Sequence, residues 1–257
     1  MTALLPLNVP AQHRPVVAVA ASVAGAAQAI AQRFHTATAT RIHLSVGASG
    51  NLSRQIRRGA PFELFISADE GYPQSIAAAG LAVGPSTTYA TGQLALMVSA
   101  RSGIVLMRAG GTNESSRTAI TRALSDPRIE RLAMANPNHA PYGRAARESL
   151  QFLGLWTTLR GKAVMGESVA QSARFAATDT VQAALLPLGI ILHSPLVQER
   201  YRVIPAKWHT PLQQQMVLLK GASAEARQLF EFILGDEAQA ILIEHGFIAA
   251  HIPASAR

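Results

Sequence analysis

The sequence predicts an α/β fold with mainly parallel sheets, and three observations carry that reading. Apolar runs of strand length alternate with amphipathic stretches of helical period along most of the chain. The segment SVGASGNLSRQIRRGAPFELFISAD, Ser45 to Asp69, reads as strand, small-residue turn, helix and strand, which is a βαβ unit. An earlier segment has the same order: a buried strand at Val16 to Ala21, then Ser22, then a helical stretch with Ile30 and Phe34 on one face.

Each element has its own signal. The first helix ends near His35, and Ile42, Leu44 and Val46 mark the next strand. Gly47 to Gly50 form the turn, Leu52 and Ile56 are the apolar teeth of a helix, and Gly59-Ala60-Pro61 ends it. Phe62 to Ala68 reads as a buried strand and Tyr72 to Ala79 as a helix. Gly92 to Ala100 is apolar enough to be buried, whereas Ser102 to Asn113 is apolar but interrupted by glycine. A helix at Ser115 to Leu124 and a turn at Ser125-Asp126-Pro127 follow. Arg131 to Asn136 reads as a strand running into Asn136-Pro137-Asn138-His139-Ala140-Pro141.

From Tyr142 the period is helical, with Ala145, Ala146, Leu150 and Leu153 on one face and Gly154 closing it. Lys162 to Met165 is a short strand, and a helix starts near Ser168-Val169 and runs to about Ala177. Val181 to Leu192 is a long apolar run and reads as one buried strand, despite Pro187 within it. Tyr201 to Ile204 and Gln215 to Lys220 are further short strands. Ala224 to Leu234 is amphipathic and stopped by Gly235; Asp236 then caps a last helix that ends at His245-Gly246.

Composition narrows the function classes. The chain has 257 residues, 49% hydrophobic and 15% charged, enough for one large domain or two small lobes with real cores. It has no cysteine, which excludes disulfides, thiolate catalysis and zinc–thiolate sites. The formal charge is +8, but only Arg54, Arg57 and Arg58 cluster, with no aromatic–basic interleaving. That pattern fits a solvated basic face rather than a nucleic-acid surface. No run of about 20 apolar residues is present, so no membrane-spanning segment is expected. The opening MTALLPLNVPAQHRP lacks the basic flank and long apolar core of a signal peptide. Either a leader was cut or replaced near Val16, or the protein stays inside the cell.

The chemistry-bearing residues are few. The eight histidines are scattered without metal-ligand spacing, and no Gly-x-Ser-x-Gly elbow, P-loop lysine or intact dinucleotide fingerprint occurs. No catalytic constellation stands out, so no enzyme is expected, and no metal site. Ser22 and Ser49 each stand between a strand and a helix. Each is either a helix cap or a hydroxyl beside free N–H groups at a helix end, a place that holds anions. Two such corners in succession bring two helix starts to the same sheet edge, where ligands sit in open α/β folds. Tyr142 and Val169 also open helices after strands; each is either core packing or part of the same crevice.

Taken together, the ordered segments ANPNHAPYGRAARESLQFLGLW (Ala135 to Trp156), GESVAQ (Gly166 to Gln171), VIPAKWHTPLQQQMVLL (Val203 to Leu219) and FEFILGDEAQAILIEHGF (Phe230 to Phe247) resemble the molybdate-binding periplasmic proteins of ABC importers. The resemblance covers most of the chain from Val16 to Phe247. It implies a two-lobed, type II periplasmic-binding-protein-like α/β fold with the ligand cleft between the lobes. Residues 1–15 would be an N-terminal extension. Residues 16–91 with 215–257 would form one lobe and 92–214 the other, with crossover strands near 92–100 and 215–220.

On this resemblance Ser22, Ser49, Tyr142 and Val169 would bind the ligand: molybdate, tungstate or another tetrahedral oxyanion. No cofactor or metal would be needed. The partners would be the oxyanion and an ABC transporter permease, with no nucleic acid, and the protein would be a periplasmic monomer. An intracellular sensor domain of the same fold, or a receptor for a different small anion, is the alternative. The sequence departs from the family pattern at Phe62-Glu63, where Ala-Asp is usual, and over Asp179 to Gly189, where Pro187 takes the place of a tyrosine that binds ligand in some members.

Overall fold

The computed structural model describes residues 13–106, 116–178, 180–195 and 200–251. In chain order the elements begin with β1 (Val16–Ala20), α1 (Ala24–Thr38), β2 (His43–Gly47), α2 (Ser49–Arg57), β3 (Leu64–Ile66), α3 (Gly71–Ala78) and β4 (Thr87–Thr91). They continue with β5 (Leu94–Val98), α4 (Ser116–Leu124), β6 (Leu132–Ala135), α5 (Pro141–Phe152), α6 (Trp156–Leu159), β7 (Ala163–Gly166), α7 (Val169–Ala176), β8 (Ala183–Pro187), α8 (Leu188–Leu192) and β9 (Arg200–Val203). The chain closes with β10 (Gln213–Leu218), α9 (Ala224–Leu234), α10 (Asp236–Glu244) and β11 (Ile248–Ala249).

These strands make two sheets, one of six strands in the order β11-β4-β10-β3-β1-β2 and one of five in the order β7-β6-β8-β5-β9. The chain passes from the first to the second between Thr91 and Leu94 and returns between Val203 and Gln213. The return strand starts at Gln213, two residues ahead of the boundary expected at 215, and β5 lies wholly in the second sheet.

Both sheets are mixed rather than mainly parallel. The βα units pair in parallel, β1 with β2 and β3, and β6 with β7 and β8. Strands next to a crossing pair antiparallel, β10 with β3 and β4, and β5 with β8 and β9. A strand that enters from the other half of the molecule need not arrive through a helical crossover, so the parallel rule does not bind it.

Buried alternation places the core. Val17, Val19, Leu64 and Ile66 pack toward α1, whose Ile30 and Phe34 face the sheet. Phe34 meets Phe232 of α9 edge-on at 5.4 Å, so the C-terminal helices pack on the six-stranded half. Every residue of β5 and β8 is buried, as strands covered on both faces require.

Two local expectations need correction. The run Val181 to Leu192 is not one strand: β8 stops at Pro187 and α8 follows directly. Pro187 has no N–H for the ladder and its φ of −56° suits the residue that precedes a helix, so the ladder gives way there. Asp236 is the first residue of α10 rather than its cap, which is Gly235. It still lies in the first turn, where a carboxylate is favoured by the helix dipole. Residues 1–12 of the expected extension, residue 179 and part of the Ser102 to Asn113 stretch lie outside the described residues.

Candidate functional site

Ser22, Ser49, Tyr142 and Val169 come to one place. Together with Ala20, Ala21, Ala48, Ala68, Ala140 and Pro141 they line a cavity with about 220 Å³ of atom-free space, part of it open to solvent. Ser22 follows β1 and Ser49 follows β2, neighbouring parallel strands, so both corners fall at the same edge of the six-stranded sheet. Tyr142 and Val169 come from the second half, where α5 and α7 begin after β6 and β7. The site therefore spans both sheets.

Neither serine caps its helix. The residue before α1 is Val23, and the residue before α2 is Ala48; no side-chain capping bond forms at either. Ser22 lies in the turn in which Val23 N–H donates to Ala20 O at 3.0 Å. Its hydroxyl is buried and has no hydrogen-bond partner. Ser49 is the first residue of α2, and its Oγ accepts the Ala68 N–H at 3.0 Å. The Ser49 proton is then left to donate elsewhere.

The second half adds main-chain donors. Tyr142 and Val169 sit in the first turn of their helices, where the backbone N–H groups have no intrahelical acceptor. The cap of α7 is Ser168, which accepts the Gln171 N–H and leaves the Val169 N–H unclaimed by that side chain. Burial pushes the Tyr142 phenol far above its usual range, so it remains a proton donor at any physiological pH. Gly143 lets α5 start this close to β6, because a Cβ there would overlap the Ala135 carbonyl.

No lining residue carries a charge. The nearby cation, Arg144, is paired with Asp69 at 2.8 Å across the two halves of the molecule. Asp69 is further held by Ser67 Oγ at 3.2 Å and by the Tyr72 N–H at 3.3 Å. A second link is main chain to main chain: Gly50 N–H donates to His139 O at 3.2 Å. Gly50 permits that approach, since a Cβ there would sit 2.9 Å from the His139 Cβ and 2.7 Å from the Tyr72 hydroxyl.

Such a cavity offers hydroxyl and amide protons and no cation, a donor set suited to an anion without protons of its own. Among the described residues no group of three or more His, Asp or Glu is placed to hold a metal ion, and no helix is long and apolar enough to cross a membrane.

The departures from the family pattern fall away from this cavity. Glu63 lies at the opposite end of β1, where it accepts N–H groups from Val16 at 3.3 Å and Ser223 at 2.8 Å and pairs with His13. Its role is to fasten α9 to the sheet. Pro187 ends β8 and is not among the lining residues. One buried polar group is missing from the residues expected above: Gln214 in β10, wholly buried, whose Nε2 donates to the Tyr142 hydroxyl at 2.9 Å. A run of three glutamines entering a strand that continues Met-Val-Leu is the clue that could have found it.

Comparison with known proteins gives consistent results. The family profile described as bacterial extracellular solute-binding protein matches residues 15–248. The molybdate-binding protein ModA of Rhodobacter capsulatus is 34% identical over 239 residues, 91% of this chain and 87% of the relative. That of Azotobacter vinelandii is 32% identical over 235 residues, 90% of this chain and 88% of the relative. The solved structure of an Azotobacter vinelandii periplasmic molybdate-binding protein superposes with a TM-score of 0.81 at 28% identity, covering 93% of this chain and all of that one. The sulfate-binding protein SubI of Mycobacterium tuberculosis shares the fold, with a TM-score of 0.74 at 12% identity over 95% of this chain and 89% of its own.

Proposed function

This chain belongs to the bacterial extracellular solute-binding proteins and to their molybdate-binding group, and on that premise we propose that it captures molybdate for an ABC importer. The observation that carries the reading is the Ser22 hydroxyl, buried without a partner in a cavity it shares with Ser49, Tyr142 and Val169. A buried hydroxyl with no partner is costly in a folded protein, and an anion in the cavity would satisfy it.

Binding would proceed without covalent chemistry, cofactor or metal. Ser22 and Ser49 hydroxyls approach the oxyanion from one side, and the first-turn N–H groups of Tyr142 and Val169 from the other. The six-stranded half, residues 16–91 with the return boundary moved from 215 to Gln213, acts as one lobe, and the segment between acts as the other. Contacts from both to one dianion stabilise the closed arrangement. Each charge-assisted hydrogen bond contributes about 1.5–3 kcal/mol, so several convergent donors offset dianion desolvation without a salt bridge. The protein works as a periplasmic monomer that delivers its ligand to a permease. Tungstate, equally dianionic and tetrahedral, is the expected second ligand.

Thermal unfolding with a panel of oxyanions tests this. Molybdate and tungstate should raise Tm, with about 2.7 kcal/mol of stabilisation at 100 times the dissociation constant. Phosphate, partly protonated near neutral pH, should raise it less, because the cavity lining presents no carboxylate to accept its proton. The absence of any shift with all tetrahedral dianions would overturn the reading.

A further inference from the structure

The ion pair of Asp69 and Arg144 stands beside the cavity and joins the two halves of the molecule. Asp69 directly follows the lining residue Ala68, in the connection between β3 and α3. Arg144 comes two positions after the lining residue Tyr142, near the start of α5.

The two oxygens of the carboxylate are bound from opposite sides. Oδ1 accepts the Ser67 hydroxyl at 3.2 Å and the Tyr72 N–H at 3.3 Å, both from the six-stranded half, which fixes the group on its own side. Oδ2 accepts the Arg144 guanidinium at 2.8 Å, and no other described group donates to it. The Asp69 side chain is 8% exposed and that of Arg144 37%. One half therefore orients the carboxylate, and the other neutralises it.

That division bears on a cavity that takes a dianion. When the halves separate, Oδ2 loses Arg144 and returns to water. When they meet, a carboxylate drawn out of water beside a dianion is unfavourable unless a cation comes with it. No lining residue is charged, and Arg144 is the cation that arrives with the second half. The other link, Gly50 N–H to His139 O at 3.2 Å, is main chain to main chain and carries no net charge to offset the carboxylate.

We infer that Arg144 is a positioning residue for closure over the oxyanion: by pairing with Asp69 it cancels a carboxylate beside the cavity, and it can do so only when the halves are together. The pair thereby holds the closed arrangement and slows ligand release. This rests on the proposed molybdate site and adds two residues that do not line it.

The test is a mutant cycle with molybdate, read by calorimetric titration and by stopped-flow rates. Arg144→Gln should weaken binding about tenfold, and the loss should appear as faster dissociation. Asp69→Asn should change affinity by less than about threefold in the wild-type background, and raise it about tenfold in the Arg144→Gln background, because the charge that needed cancelling is gone. Three outcomes overturn the inference. One is unchanged affinity in Arg144→Gln. Another is an Asp69→Asn effect equal in both backgrounds, which would make Asp69 and Arg144 independent. The third is a slower association with unchanged dissociation, which would mean that Arg144 only draws the anion in from solution. If Arg144→Gln does not fold, Arg144→Lys takes its place in the cycle; a loss of about threefold that Asp69→Asn abolishes supports the inference, and a loss that persists refutes it. Failure of the underlying site reads differently: wild type would not bind molybdate, or Ser22→Ala would leave affinity unchanged.

Discussion

The corners at Ser22 and Ser49 are alike in sequence and unlike in structure. Both follow a buried strand and precede a helix, at neighbouring strands of one sheet. Ser22 stands two residues before its helix, and its hydroxyl has no partner in the protein. Ser49 is already inside its helix, and its hydroxyl receives the Ala68 N–H from just beyond β3. The Ser22 hydroxyl serves nothing in the fold. The Ser49 hydroxyl serves the fold and still has a proton to give. A helix-start serine can thus carry ligand chemistry, structural chemistry or both, and only its acceptor side distinguishes them.

Removing both hydroxyls should have the largest effect. Ser22→Ala with Ser49→Ala should lower molybdate affinity by about two to four orders of magnitude, measured by calorimetry, while circular dichroism shows a folded protein. Ser49→Ala alone should lose about ten- to hundredfold in affinity and also about 1–3 kcal/mol of ligand-free stability, since it leaves the buried Ala68 N–H without its acceptor. Denaturant titration without ligand reads the second part. Ser22→Ala should lose similar affinity with ligand-free stability unchanged or raised by up to about 1–3 kcal/mol, because no hydrogen bond is broken and an unpartnered buried hydroxyl is removed. Equal stability losses in the two single variants would erase the distinction drawn between the corners.

A smaller effect concerns the far end of β1. Burial raises the Glu63 carboxyl, but hydrogen bonds from Ser223 and His13 outweigh it and hold the group below its ordinary value. Its contribution is therefore complete above the unfolded carboxylate value and is lost as pH falls through the lower folded value. Glu63→Gln should flatten the acid limb of the stability–pH curve and leave molybdate affinity at neutral pH unchanged. An affinity change of more than about twofold would mean that the strand transmits what happens at one end to the serine at the other.

Much of this was legible in the residues. The strand–Ser–helix order at Val16 to Phe34 and Ile42 to Ile56 placed both serines at one sheet edge, and all four residues named from the sequence line a single cavity. What periodicity could not show was hydrogen bonding. A serine before a helix looks the same whether its oxygen meets an N–H, a ligand or nothing, so the capping alternative stayed open until the partners were seen. The break at Pro187 was hidden because α8 continues the apolar run of β8, and a buried strand and a short buried helix have the same composition. Gln214 was invisible for a different reason: its neighbours Tyr89 and Tyr142 lie 125 and 72 positions away in the chain.

The cavity wall has a consequence of its own. Five of its ten lining residues are alanines. An alanine has no rotamers, so the dimensions of the recess are set by where the main chain runs rather than by side chains that can swing aside. Such a mould loses little freedom when it is filled, and it cannot relax to admit a larger guest. Ions of the same shape that differ slightly in radius are then sorted by the rigidity of the backbone. Changing the preferred ion by swapping side chains would be hard, because at half of the wall positions there is almost no side chain to exchange.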